Sequence, residues 1–157
     1  WFEIAKENDL LRIEGPLGSF FLRENKKENI IFLATGTGIA PIKAILENLI
    51  KSAALHQDNT FWLFFGARYE NDLFWDPRDL GGFNNIKYIP VLSRAEEEWE
   101  GERGYIQNIV IKQNIPLADS QVYACGSDAM IESSKKILID NGLNKLYFFS
   151  DAFVQSN

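Results

Sequence analysis

The chain has 157 residues, 46% of them hydrophobic, and a formal net charge of −6. That length can bury one sizeable core, and the acidic balance argues against a nucleic-acid partner, which needs a basic face. A single cysteine, Cys125, and a single histidine, His56, exclude an internal disulfide and any multi-cysteine or multi-histidine metal site within this chain.

No apolar run approaches the roughly 20 residues that span a bilayer. No secretory signal opens the sequence, so a reducing cytoplasm is the simplest compartment. The first residue is Trp1 rather than Met, and a piece of a longer protein is expected.

Residues 1–28 read as strands without a sheet: 2–5, 10–13, and a turn-rich stretch from Gly15 that enters the apolar Phe20-Phe21-Leu22. Residues 23–29 form a polar linker. From residue 30 onward strand and helix patterns alternate. The apolar run 30–35 predicts a first strand. Helical spacing of Ile42, Ile45, Leu46, Leu49 and Ile50 predicts a helix over about 40–54.

The near-continuous apolar run 60–66 predicts a strand buried on both faces. A short helix is expected at 71–75 and a third strand at 86–92. A helix follows over about 104–114, then a fourth strand at 121–125. A helix at 127–140 buries Met130, Ile131, Ile137 and Leu138 and stops before Asn141-Gly142. The fifth strand is expected at 145–149. Five strands with intervening helices give an α/β fold, a doubly wound five-stranded parallel sheet.

Ligands of such sheets bind at the carboxyl ends of the strands, where strand order reverses. The segments at those ends are Thr35-Gly36-Thr37-Gly38, Gly66-Ala67-Arg68, Ser93-Arg94, Cys125-Gly126-Ser127 and Ser150-Asp151. All carry glycines, small polar residues or charges. The first is a strand-to-helix turn suited to a diphosphate, with Pro41 in the first helical turn. Ala40 and Pro41 stand where the third glycine of the usual dinucleotide fingerprint would fall.

Together these segments resemble the pyridine-nucleotide domain of the ferredoxin–NADP reductase superfamily. The matching pieces are Gly36-Thr37-Gly38-Ile39-Ala40-Pro41, Phe65-Gly66-Ala67-Arg68, Ser93-Arg94, Gly104-Tyr105-Ile106, Tyr123-Ala124-Cys125-Gly126 and Asp151-Ala152-Phe153. Within it the chain looks closest to oxygenase-type and CDP-6-deoxy-glucoseen reductases. The resemblance implies a Rossmann-like NAD(P)-binding domain at 29–157. It implies that 1–28 are the tail of an otherwise absent FAD-binding barrel, since that family's Arg-x-Tyr-Ser flavin motif is missing.

The implied activity is hydride transfer from NAD(P)H to FAD, held by the flavin domain of the same polypeptide. Electrons then pass to an iron–sulfur cluster in another domain or protein. A stand-alone flavin reductase and a non-catalytic module on the same scaffold are the alternatives.

By the same resemblance, Thr35, Gly36, Thr37, Gly38, Pro41, Gly126 and Ser127 belong to the diphosphate end. Cys125 packs against the nicotinamide, and Asp151 and Phe153 stand near the flavin. Ser93, Arg94, Arg103 and Tyr105 match positions that hold a 2′-phosphate in NADP-specific relatives, and Arg68 stands where an NAD site would carry an acid. Glu96, Glu97, Glu98 and Glu100 stand against a phosphate there and favour NADH, leaving both nucleotides open. The strand aromatics Phe61, Trp62, Phe64 and Phe65 read as core. Phe74 and Trp75 are candidates for a ligand wall. His56 reads as an exposed loop residue.

Overall fold

A computed structural model describes residues 6–10, 12, 14–15, 18–24, 27–52, 59–80 and 86–152. Among them six strands form one parallel sheet: β1 (Asn29–Thr35), β2 (Thr60–Ala67), β3 (Ile86–Leu92), β4 (Glu102–Arg103), β5 (Ser120–Gly126) and β6 (Phe148–Ala152). Their spatial order is β4-β3-β2-β1-β5-β6. The chain winds outward from β1 in one direction, then returns beside β1 and winds outward in the other. The strand order therefore reverses between β1 and β5, where Ala34 lies opposite Cys125.

Three helices cover the sheet: α1 (Ile39–Lys51), α2 (Ile106–Lys112) and α3 (Asp128–Asp140). Alternation along the strands sorts side chains to two cores. Ile30, Phe32 and Ala34 join Ile42 and Leu46 of α1, with Phe61, Tyr123 and Cys125. Ile31 and Leu33 pack with Phe64, Val122, Ala124 and the inner residues of α2 and α3. The aromatics of β2 are core, as their pattern predicts: Phe61, Phe64 and Phe65 are fully buried, and Trp62 donates its indole N–H to the Asn29 side chain at 3.0 Å.

Four expectations are corrected. The sheet has a sixth strand, β4, so the following helix starts at Ile106 rather than 104. Residues 145–147 form a 3-10 turn because the Asn144 side chain accepts the Leu146 N–H at 3.0 Å; β6 is displaced to Phe148–Ala152 and contains Ser150 and Asp151. No helix spans 71–75, since the Asp72 carboxylate turns back to the Tyr69 N–H and leaves only a 3-10 turn at Glu70–Asp72. Ile137 is half-buried rather than core.

Residues 18–24 carry no strand, because a strand needs a paired ladder and this stretch has none among the described residues. They lie instead on the α1 side of the sheet. The Arg23 backbone N–H donates to the Tyr123 hydroxyl at 2.8 Å, and its guanidinium covers the Phe149 ring. Phe20 meets Tyr123 edge-on. The expected strands at 2–5 and 10–13, and the placement of His56, fall largely or wholly outside the described residues. No helix among the described residues is long and apolar enough to cross a membrane.

Candidate functional site

The site begins with the close approach of two strand ends. Gly38 follows β1 and packs so tightly on β5 that a Cβ there would overlap the Cys125 carbonyl. At the end of β5, Gly126 has φ +150, and a Cβ there would overlap the Thr35 hydroxyl. That hydroxyl accepts the Ser127 backbone N–H at 3.3 Å. Two glycines and one threonine thus clamp the two tips that flank the order reversal.

The two helices that start here differ. Ser127 caps α3: its hydroxyl accepts the Met130 N–H, and Asp128 sits in the first turn. The first turn of α1 has no capping side chain and no acid. The 3-10 turn Gly36–Gly38 runs straight into α1 and takes up its first N–H, that of Ile39, with the Gly36 and Thr37 carbonyls; the turn itself has no capping side chain and no acid, so the anion-favouring end of this continuous segment is at Gly36 and Thr37. Pro41 sits in that turn, where its missing N–H costs no hydrogen bond.

Above the tips lies a cleft of about 1380 Å³. Of the residues that the sequence singled out, Thr35, Gly36, Thr37, Arg68, Ser93, Tyr105, Gly126 and Ser127 all line it. Gly36 (φ +53) and Gly104 (φ +113) line it with bare backbone, and a Cβ at either would meet nothing within 4 Å. Tyr105 (65% exposed) and Phe74 (62% exposed) are its large uncovered aromatic surfaces.

Sequence reasoning missed Asn71, Asp72, Gln107, Asn108 and Ser133, which line the same cleft. Their only signal was adjacency to tips already singled out. Gln107, nearly buried, donates its amide to the Ser133 hydroxyl at 3.0 Å and ties α2 to α3 along the cleft wall.

Gly38, Pro41, Arg94, Arg103, Cys125 and Asp151 do not line the cleft. Arg94 turns toward the Tyr69 hydroxyl at 3.4 Å, and the Ser93 hydroxyl donates to the Ala67 carbonyl at 3.3 Å. Arg103 is committed to backbone carbonyls of its own loop. The Cys125 thiol is fully buried in the α1-side core, not on the cleft. Asp151 lies opposite it on β6 and is exposed. Phe153 is outside the described residues. Burial pushes the Cys125 thiol up to about 11 from an ordinary 9, and the Asp151 carboxylate adds to that rise.

Comparison with known proteins bears on this geometry. The family model of the oxidoreductase NAD-binding domain matches residues 32–136. The chain belongs to that family. Its relatives include protein RfbI of Salmonella typhimurium, 39% identical over 99% of this chain and 47% of that protein. Another is the CDP-6-deoxy-L-threo-D-glycero-4-hexulose-3-dehydrase reductase of Yersinia pestis, 40% identical over 99% of this chain and 46% of that protein. The chain therefore spans about half the length of these curated relatives. The ferredoxin reductase of carbazole 1,9a-dioxygenase has the same fold, with a TM-score of 0.76, 22% identity, and coverage of 89% of this chain and 42% of that one. In sheets of this kind ligands bind at the strand tips where strand order reverses, and the cleft lies over that point.

Two outcomes are expected. Gly126→Ala lowers the unfolding free energy by about 2 kcal/mol or more, through overlap and backbone strain. Adding Thr35→Ala recovers part of that loss in a double-mutant cycle by urea denaturation, whereas strict additivity would contradict the clamp.

The second outcome concerns pH. The unfolded thiol ionises near 9, while the folded one holds its proton to about 11. The stability tied to that proton is full below pH 9 and is lost as pH rises through this window. Wild type should therefore lose more stability than Cys125→Ala between pH 8.5 and 10.5, and native Cys125 should resist a thiol reagent at pH 8. Equal losses, or fast labelling, would show an accessible ionising thiol.

Proposed function

We propose that this chain is the NAD(P)H-binding part of a flavin-dependent reductase. The observation that carries the reading is the clamped β1–β5 tip, where Gly36 and Thr37, in an uncapped 3-10 turn that leads into α1, line a dinucleotide-sized cleft. A diphosphate fits that turn: bare backbone at Gly36, the dipole of the helix it leads into, and no acid in the turn or in the first turn of α1. A dinucleotide held there would supply a hydride, for which FAD in a neighbouring domain would be the acceptor and an iron–sulfur partner the onward destination of the electrons.

The chain's own residues position. Tyr105 and Phe74 offer ring faces to the adenine, and Asn71 and Asp72 offer polar groups to its ribose. Thr35, Thr37 and Ser127 surround the diphosphate. From there the ligand crosses Gly126, where the lack of a side chain leaves the tip low, toward the end of the sheet marked by Cys125 and Asp151. Cys125 supports that tip from beneath and attacks nothing. Asp151, exposed beside it, is the carboxylate available to orient a nicotinamide.

Residues 18–24 reach the sheet on this same α1 side, so a flavin domain joined through them would enter next to Cys125 and Asp151. A reducing cytoplasm suits the lone, buried cysteine, which has no disulfide role.

The test is calorimetric titration of the chain with 5′-ADP-ribose, which avoids the nicotinamide end. Saturable binding is expected, and Tyr105→Ala should weaken it by roughly tenfold, the scale of one aromatic contact. Absence of heat at millimolar ligand would replace this reading with a non-catalytic module.

A further inference from the structure

Arg103 looks, from its place after Ser93-Arg94, like a ligand for a nucleotide phosphate. Its hydrogen bonds point elsewhere. The guanidinium donates to the carbonyl oxygens of Ala95 (3.2 Å), Glu96 (2.7 Å), Glu97 (3.1 Å) and Trp99 (2.8 Å). Three of these carbonyls converge on Nη2 and share its two N–H groups, and the fourth, that of Ala95, meets Nη1. The glutamates around it contribute backbone oxygens, and none of their carboxylates pairs with it.

The loop is closed by two further contacts. The Trp99 indole N–H donates to the Glu102 carbonyl at 3.1 Å, and its ring lies where a Gly101 Cβ would be. The loop's two ends are also tied to the sheet. Ser93 and Arg94 donate backbone N–H to Ala67 and Arg68 at 3.0 Å, and Gly104 donates to Leu92 at 2.8 Å. Arg103 itself lies in β4, opposite Leu92. Its chain neighbour Gly104, and Ser93 across the ladder, both line the cleft, with Tyr105 next.

We infer that Arg103 is a positioning residue: it clips the 95–99 loop to β4 and so fixes the Ser93–Tyr105 wall of the cleft, and it does not ligate a 2′-phosphate. The inference deepens the nucleotide-binding reading above and rests on it for its ligand arm. A lysine keeps the charge at 103 but offers a single ammonium, which cannot span four carbonyls held in a fan. The clip and the phosphate roles therefore respond oppositely to Arg103→Lys.

The experiment takes this chain as wild type, Arg103→Gln and Arg103→Lys. Each is titrated with 5′-ADP-ribose and with 2′,5′-ADP, and each is digested with a glutamate-specific protease, for which Glu96, Glu97, Glu98 and Glu100 are ready targets. Expected are at least tenfold faster cleavage at residues 96–100 in both variants, and weaker binding of both fragments by the same factor, with no rescue by lysine. Selective loss of 2′,5′-ADP in Arg103→Gln with recovery in Arg103→Lys would overturn the inference in favour of a phosphate ligand. Unchanged cleavage in both variants would overturn the clip. If wild type binds neither fragment, the nucleotide reading fails, and the protease arm alone decides whether Arg103 holds the loop.

Discussion

The structure depends on one close approach. Where strand order reverses, the ends of β1 and β5 come together without a side chain at Gly38 or Gly126. The Cys125 carbonyl occupies the room that a residue at 38 would need, and the Thr35 hydroxyl occupies the room at 126. Parallel strands always leave a crevice at such a point. Here the crevice floor is narrowed to bare backbone, and the start of α1 is left uncapped behind it. A recess floored by bare backbone suits a diphosphate, and the larger cleft grows outward from it.

The sheet also separates two tasks by face. The α2–α3 side carries the cleft, with Tyr105, Gln107 and Ser133 in its wall. The α1 side carries Cys125, with Asp151 opposite it and residues 18–24 packed nearby. A dinucleotide laid over Gly126 would have its adenosine half on the first side and its reactive half near the second. Such a division places hydride donation next to whatever domain is joined through residues 18–24. The chain supplies geometry, and the cofactors supply the redox chemistry.

Much of this was legible in the sequence, for physical reasons. The three helices and five of the strands announce themselves through apolar periodicity, because each is buried on a face that periodicity encodes. The turn from β1 into α1 was legible because Gly36-Thr37-Gly38 stands between an apolar strand and a helical pattern. β4 was not legible: two polar residues, Glu102 and Arg103, become a strand only because the edge of β3 offers them a ladder. The 145–147 turn was hidden because its cause is a single side chain, Asn144, capping locally. The strand end at Cys125 was legible, while the face its thiol takes needed the sheet. The period of two through Tyr123 and Cys125 sends its thiol to the α1 core. The partners of Arg103 were not legible because residue type signals charge, whereas these are carbonyls that come into range only once the loop folds.

The central claim is that the clamped β1–β5 tip is where a dinucleotide's diphosphate rests. Backbone amide chemical shifts of the chain, followed by NMR during titration with 5′-ADP-ribose, test it directly. The account expects the largest changes at Gly36, Thr37, Gly38, Gly126 and Ser127, with smaller ones at Tyr105 and Phe74. Changes confined to the α1 face, or spread with no maximum at the tip, would contradict it.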